Sequence, residues 1–171
     1  KRGWPEIIVQ PVDEPGWQSR HARELNLTLL KYLKEIPGQR TEQDGPGDDY
    51  FINQAGPWAD IWNFNGGFAN ADVMARVARE NRLATLYNCD VESYRPEVGR
   101  YVTGFFQARS GTQGHFNWAF MSGGSNPYDD FDSANGDFSH IYPAAATEPG
   151  GPSIGWYGVR EGIDDYKYLT T

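Results

Sequence analysis

Asp13 and Glu14 are adjacent carboxylates at the end of a short apolar run, Glu6 to Val12 (EIIVQPV), and Pro15-Gly16 follows them. Neighbouring carboxyls can divide proton transfer and charge stabilisation between them. Adjacent side chains on a strand point to opposite faces, so both acids reach one pocket only if the strand ends there. Pro15 and Gly16 allow that turn. The competing reading makes the pair a cap that opens a helix over 17–36. Asp90 and Glu92 follow a second strand-like run, Leu83 to Tyr87 (LATLY), and are the alternative source of a second carboxylate. Trp62, Tyr87 and Trp118 lie in or just beyond strand-like runs, where flat rings either stack on a sugar face or fill a core. Asn65 and Asn88 sit at strand ends, able to bond hydroxyl groups. His115 and His140 read as structural, since no second His lies at metal-ligand spacing. The acidic stretch Asp129, Asp130, Asp132, Asn135 and Asp137 misses the calcium-loop pattern by a residue and reads as a solvated loop. No metal or cofactor is expected.

These residues need elements to hold them. Glu6–Val12 reads as a buried strand and Ser19–Ile36 as an amphipathic helix, with Leu25, Leu29, Leu33 and Ile36 at helical spacing and Pro37-Gly38 as its stop. Inside that helix Asn26-Leu27-Thr28 forms a glycosylation sequon, a pattern common by chance. Gln39–Pro57 is rich in Gly, Asp and Pro and reads as a loop, with one weak strand near Tyr50-Phe51-Ile52. Ala59–Phe64 reads as a strand and Asn70–Arg82 as a helix with Val73, Val77 and Ala78 inward. Leu83–Tyr87 is the next strand, Glu97–Ser110 a helix and His115–Met121 a strand. Ser139–Tyr142 is a weaker strand, and Trp156–Leu169 closes the chain as a helix. Alternating strands and helices imply βαβ units and a mostly parallel sheet. About five strands fit the C-terminal portion of a (β/α)8 barrel, since a closed barrel takes eight. One partial domain over residues 1–171 is expected. The alternative is a small open doubly wound sheet, although Gly66-Gly67 matches no nucleotide fingerprint.

Composition narrows the partners. The 171 residues carry a net charge of −8 with basic residues scattered among acids, which argues against nucleic acid or an anionic membrane. No window approaches a membrane-spanning apolar run, and no stretch of the sequence reads as a signal peptide. A first residue other than Met suggests a processed chain or a fragment. Six Trp, ten Tyr and nine Phe suit a carbohydrate site and equally a large core. The single cysteine, Cys89, excludes an intrachain disulfide and leaves the compartment open, an extracellular or periplasmic one included.

The tail Arg160 to Leu169 (REGIDDYKYL), with Pro152-Ser153-Ile154 and Trp156 before it, resembles the end of the catalytic domain of glycoside hydrolase family 123. The resemblance runs backward through Asn126 to Asp132 (NPYDDFD), the Gly114–Phe120 segment with Trp118, and Tyr87-Asn88. It ends at Val12-Asp13-Glu14-Pro15, which looks like that family's catalytic Asp-Glu pair. Gly155 and Tyr157 depart from the pattern, which carries Arg and an acid around the last Trp. The resemblance implies a barrel that cleaves β-linked N-acetylhexosaminides, N-acetylgalactosamine above all, with the sugar's own acetamido oxygen as nucleophile. It implies that Glu14 is the acid and Asp13 the partner of the acetamido nitrogen. A double displacement through Asp90 or Glu92 is the rival mechanism. A polypeptide completing the barrel, from the same chain or another, is the expected partner beside the carbohydrate. A non-catalytic glycan-binding or assembly module, derived from a degenerate barrel, is the reading from a different class.

Overall fold

The computed structural model describes residues 3, 5–65, 69–88, 95–117, 120, 128, 140–144 and 149–171. The chain divides into two compact units, Lys1–Leu86 and Tyr87–Thr171. Five strands follow one another in chain order, and the fourth crosses the division. With helices between the strands, this is the α/β succession of part of a (β/α)8 barrel.

In the first unit β1 is short, Ile8–Val9, and pairs in parallel with β2, Arg40–Gly45. Helix α1 (Arg20–Lys34) joins them, and Ser19 caps it by accepting the Ala22 N–H on its hydroxyl. β2 pairs in parallel with β3, Ile61–Asn65, so that Asp44 lies opposite Asn63. Helix α2 (Ala71–Arg79), capped by the Asn70 side chain, leads to β4, Leu83–Asn88.

β2 corrects the reading of Gln39–Pro57 as a loop. Its sequence, Arg-Thr-Glu-Gln-Asp-Gly, has no apolar residue, yet it sits between two strands with its buried side-chain donors taken up by backbone carbonyls. The Thr41 hydroxyl donates to the Trp58 carbonyl at 2.9 Å, and Gln43 Nε2 donates to the Phe51 carbonyl at 2.7 Å. Tyr50–Ala55 is a π-helical turn rather than a weak strand; Asp48 starts it by accepting the Phe51 N–H at 2.8 Å. Phe51 then enters the core between Trp62 and Phe64, with ring centroids 6.0 and 5.0 Å away.

β1 is shorter than the Glu6–Val12 run and lies at the open edge that an incomplete barrel must leave. It pairs with β2 alone, and Ile7 and Ile8 are 69% and 41% exposed, so the strand is an edge and not buried. On α1 the inward positions are Asn26 and Leu30; Leu25 lies outside. On α2 Val77 is buried and Ala78 is exposed. At the N-terminal ends of the strands, Asp60 takes Lys34 Nζ at 2.5 Å and the Thr41 N–H at 2.9 Å, tying α1 to β2.

In the second unit the helix expected over 97–110 is a continuous run. It comprises α3 (Pro96–Tyr101), a π-helical turn at Val102–Phe106 and α4 (Gln107–Ser110). β5 (Gly114–Asn117) follows, then an antiparallel pair, β6 (Ile141–Tyr142) with β7 (Gly151–Pro152). Helix α5 (Ile154–Thr170), capped by Ser153, closes the chain against α3 and the π-helical turn. Glycines make that crossing close. A Cβ on Gly158 would stand 2.0 Å from the Pro96 carbonyl oxygen, and one on Gly162 would stand 2.0 Å from Thr103 Oγ1. Arg100 and Asp165 fork across the crossing at 2.6 and 3.0 Å. Gly162 and Asp165 of the Arg160–Leu169 motif therefore serve helix packing. No helix among the described residues is long and apolar enough to cross a membrane.

Candidate active site

Asp13 and Glu14 leave the chain a few residues beyond β1, in a turn that Pro15–Trp17 completes as a 3₁₀ turn. They are not the cap of α1, because Ser19 is. Glu14 takes the left-handed backbone conformation, φ 43° and ψ 49°, which costs about 1–2 kcal/mol for a residue with a Cβ. Its N–H donates to Asp44 Oδ1 at 2.8 Å, which docks the turn onto the C-terminal end of β2. Asp13 is exposed and Glu14 half-buried, so both remain within reach of a ligand from outside.

Asp44 is the residue that sequence reasoning missed. It is 5% exposed, and burial pushes its carboxyl up to about 7; the charges of Asp13 and Glu14 push the same way. The Glu14 N–H and a bond from Gln10 oppose the rise without cancelling it. Three carboxyls from two consecutive strand ends thus share one place. The Asp44-Gly45-Pro46-Gly47 run, an acid before a turn signal, was the trace of this strand end in the sequence.

Strand parity sorts the other candidates. On β2, Glu42 and Asp44 face one way, Thr41 and Gln43 the other. Glu42 is bonded to Asn63, and burial raises its carboxyl despite that bond. The Thr85 hydroxyl donates to Asn63 Oδ1 at 2.9 Å, so β2, β3 and β4 share a polar face of Glu42, Asp44, Asn63 and Thr85. Asn65 has the parity of Asn63, and Tyr87 that of Thr85 along its own strand. Tyr87 is 9% exposed.

Trp62 has the opposite parity. Its ring is fully buried against Phe51 and Phe64, and its Nε1 donates to the Gly56 carbonyl at 3.1 Å. The core alternative describes it, and it offers no face to a sugar. For Asn88 only the backbone, as the last residue of β4, is described. Trp118, Asp90, Glu92 and the acidic stretch 129–137 lie outside the described residues. Gly155 is buried in the first turn of α5, and Tyr157 lies outside under the Arg160 guanidinium, 5.5 Å from the ring.

In the second unit His115 and His140, read separately from sequence, line one cavity of about 390 Å³ with Asn117, Trp156 and Tyr166. Burial pushes His115 down to about 4, helped by His140, and lowers His140 as well. Both are neutral near pH 7. No cluster of three metal-ligating side chains occurs among the described residues.

An open run of parallel strands with carboxyls gathered beyond their C-terminal ends is part of a (β/α) barrel with its candidate site at the end where barrel enzymes carry theirs. The model of the glycoside hydrolase family 123 catalytic domain matches residues 18–171, and the chain belongs to that family. The match begins after Asp13 and Glu14. A solved structure of a family 123 glycoside hydrolase from Clostridium perfringens, described for glycolipid glycan hydrolysis, shares the fold at 18% identity with a TM-score of 0.62. The similarity covers 96% of this chain and 31% of that one. A search of curated proteins found no significant match.

Proposed function

We propose that this chain carries the catalytic rim of a β-N-acetylhexosaminidase that works by substrate-assisted, retaining hydrolysis, with N-acetylgalactosaminides as the substrate class. The observation that carries the reading is the Asp13-Glu14 turn, docked through the Glu14 N–H onto Asp44 at the C-terminal ends of two parallel strands. Family membership adds the reaction class. Glu14 gives its proton to the leaving oxygen as the glycosidic bond breaks. The acetamido carbonyl oxygen closes on the anomeric carbon, and Asp13 takes the acetamido N–H, stabilising the positive charge that develops there. Water then opens the cyclic intermediate, with Glu14 as base. Asn65, Asn88, Tyr87 and Trp118 are the residues assigned to the sugar. A further stretch of barrel, in the same polypeptide or another, is the partner that covers the β1 edge with its exposed Ile7 and Ile8.

Two aryl β-glycosides with the same leaving group, one bearing a 2-acetamido group and one a 2-hydroxyl, test this in the full-length protein. The acetamido substrate should be strongly preferred, and Asp13→Asn should abolish the preference. Comparable turnover of the 2-hydroxy substrate, or a covalent sugar on Asp90 or Glu92, would establish the double displacement instead. No turnover of either substrate would favour the binding module.

A further inference from the structure

We infer that Asp44 is a positioning residue for the acid: its buried side chain accepts the Glu14 main-chain N–H and so fixes the left-handed backbone that orients the Glu14 carboxyl. This rests on the reading of Glu14 as the proton donor. A residue with a Cβ persists in that conformation only where its surroundings over-determine it. Here they do so from several sides. Asp44 Oδ1 takes the Glu14 N–H at 2.8 Å, and the Trp17 N–H closes the turn onto the Glu14 carbonyl at 3.1 Å. Gln18 Nε2 donates to the Asp13 carbonyl, and Arg23 donates to the Gly16 carbonyl. Gly16 itself lies flat on Pro46, two residues past Asp44; a Cβ there would stand 2.8 Å from Pro46 Cδ. The loop that leaves β2 therefore grips the acid's turn through Asp44 on one side and Pro46 on the other.

The position is costly for a carboxyl, since burial and the charges of Asp13 and Glu14 all disfavour its ionised form. Packing alone would be better served by an apolar residue. What an apolar side chain cannot do is accept the Glu14 N–H. Gln10 also bonds to the Asp44 side chain, which fixes its orientation toward the turn.

The experiment uses the full-length protein and two β-N-acetylgalactosaminides. One has an alkyl leaving group that needs a proton, and the other has an activated aryl group that does not. Asp44→Ala should lower kcat on the alkyl substrate by about 10–100-fold, the effect of an acid displaced by roughly an ångström, with KM little changed. On the activated substrate the loss should be far smaller. Asp44→Asn keeps an accepting oxygen without the buried charge, so it should fold as well as the parent and recover most of the lost kcat. An equal loss on both substrates, or Asp44→Asn as impaired as Asp44→Ala, overturns the inference. So does Asp44→Ala at parental rates beside an inactive Glu14→Gln. Unimpaired alkyl hydrolysis by Glu14→Gln would instead remove the reading on which the inference stands.

Discussion

Gly158→Ala should destabilise the second unit although it replaces glycine with the best helix former. The added Cβ would lie 2.0 Å from the Pro96 carbonyl oxygen and 2.6 Å from both Pro96 C and Cα. Ordinary contact begins at 3.4 Å, so α5 must retreat from α3 by about 1.4 Å, the difference between 3.4 and 2.0. The obstructing atoms are backbone, so no rotamer change relieves them. Overpacking of this kind costs about 1–3 kcal/mol or more, and the gain from removing a helix glycine returns about 1 kcal/mol. A backbone clash this close takes the upper end, about 3 kcal/mol, so the net loss should be about 2 kcal/mol, or roughly 4–8 °C in Tm for a unit in a protein of about 150–250 residues. The separation also strains the Arg100–Asp165 fork across the same crossing. Thermal unfolding followed by circular dichroism measures the loss. Gly151→Ala, where the Cβ meets nothing within 4 Å, is the control and should change little. A Tm for Gly158→Ala equal to or above the parent would refute the close-crossing account.

Two buried titrations should oppose each other. Asp44 titrates near 7 when folded and near 3.8 when unfolded, so the native state holds the extra proton between those values and its stability falls as pH rises through them; Asp44→Asn should flatten that slope in Tm measured from pH 4 to 8. His115 titrates near 4 when folded and near 6.5 when unfolded, so the unfolded state holds the extra proton and stability falls as pH drops from 6.5 towards 4; His115→Gln should flatten that limb. Asn26 heads a sequon but is fully buried, donating to the Tyr50 hydroxyl at 2.9 Å. Peptide mapping after expression in a glycosylating host should find it unmodified, and Asn26→Ala should cost about 1–3 kcal/mol in denaturant unfolding.

The elements legible in the sequence were those with an apolar signature. β3 and β4 announced themselves through Ile61–Phe64 and Leu83–Tyr87, and α1 through the helical spacing of its leucines; α5 was read from Trp156, two residues after its start at Ile154. β2 was invisible because its buried side chains are polar: Thr41 and Gln43 are completely buried, and their donors are taken up by backbone carbonyls. With β2 went Asp44, whose role depends on a contact 30 residues away in the chain. The turn after β1 was legible from Asp13-Glu14-Pro15-Gly16, since Pro and Gly are turn formers that end a strand. Between the two readings of Trp62, core or sugar platform, parity decided for the core. The strand was read correctly, but which of its faces met the helices depended on Phe51, inside the segment read as a loop. His115 and His140 were separated by 25 positions and joined only by the folding of β5 and β6 into one cavity.

The central claim is that Glu14 donates the proton to the leaving group. The most direct test is kcat of Glu14→Gln in the full-length protein across β-N-acetylgalactosaminides whose leaving groups span a wide range of basicity. The account predicts that hydrolysis of the alkyl glycoside is abolished while the most activated aryl glycoside is still cleaved, so that the variant acquires a steep dependence on leaving-group basicity which the parent lacks. A variant that cleaves the alkyl glycoside at the parental rate, or loses all substrates in equal proportion, would contradict it.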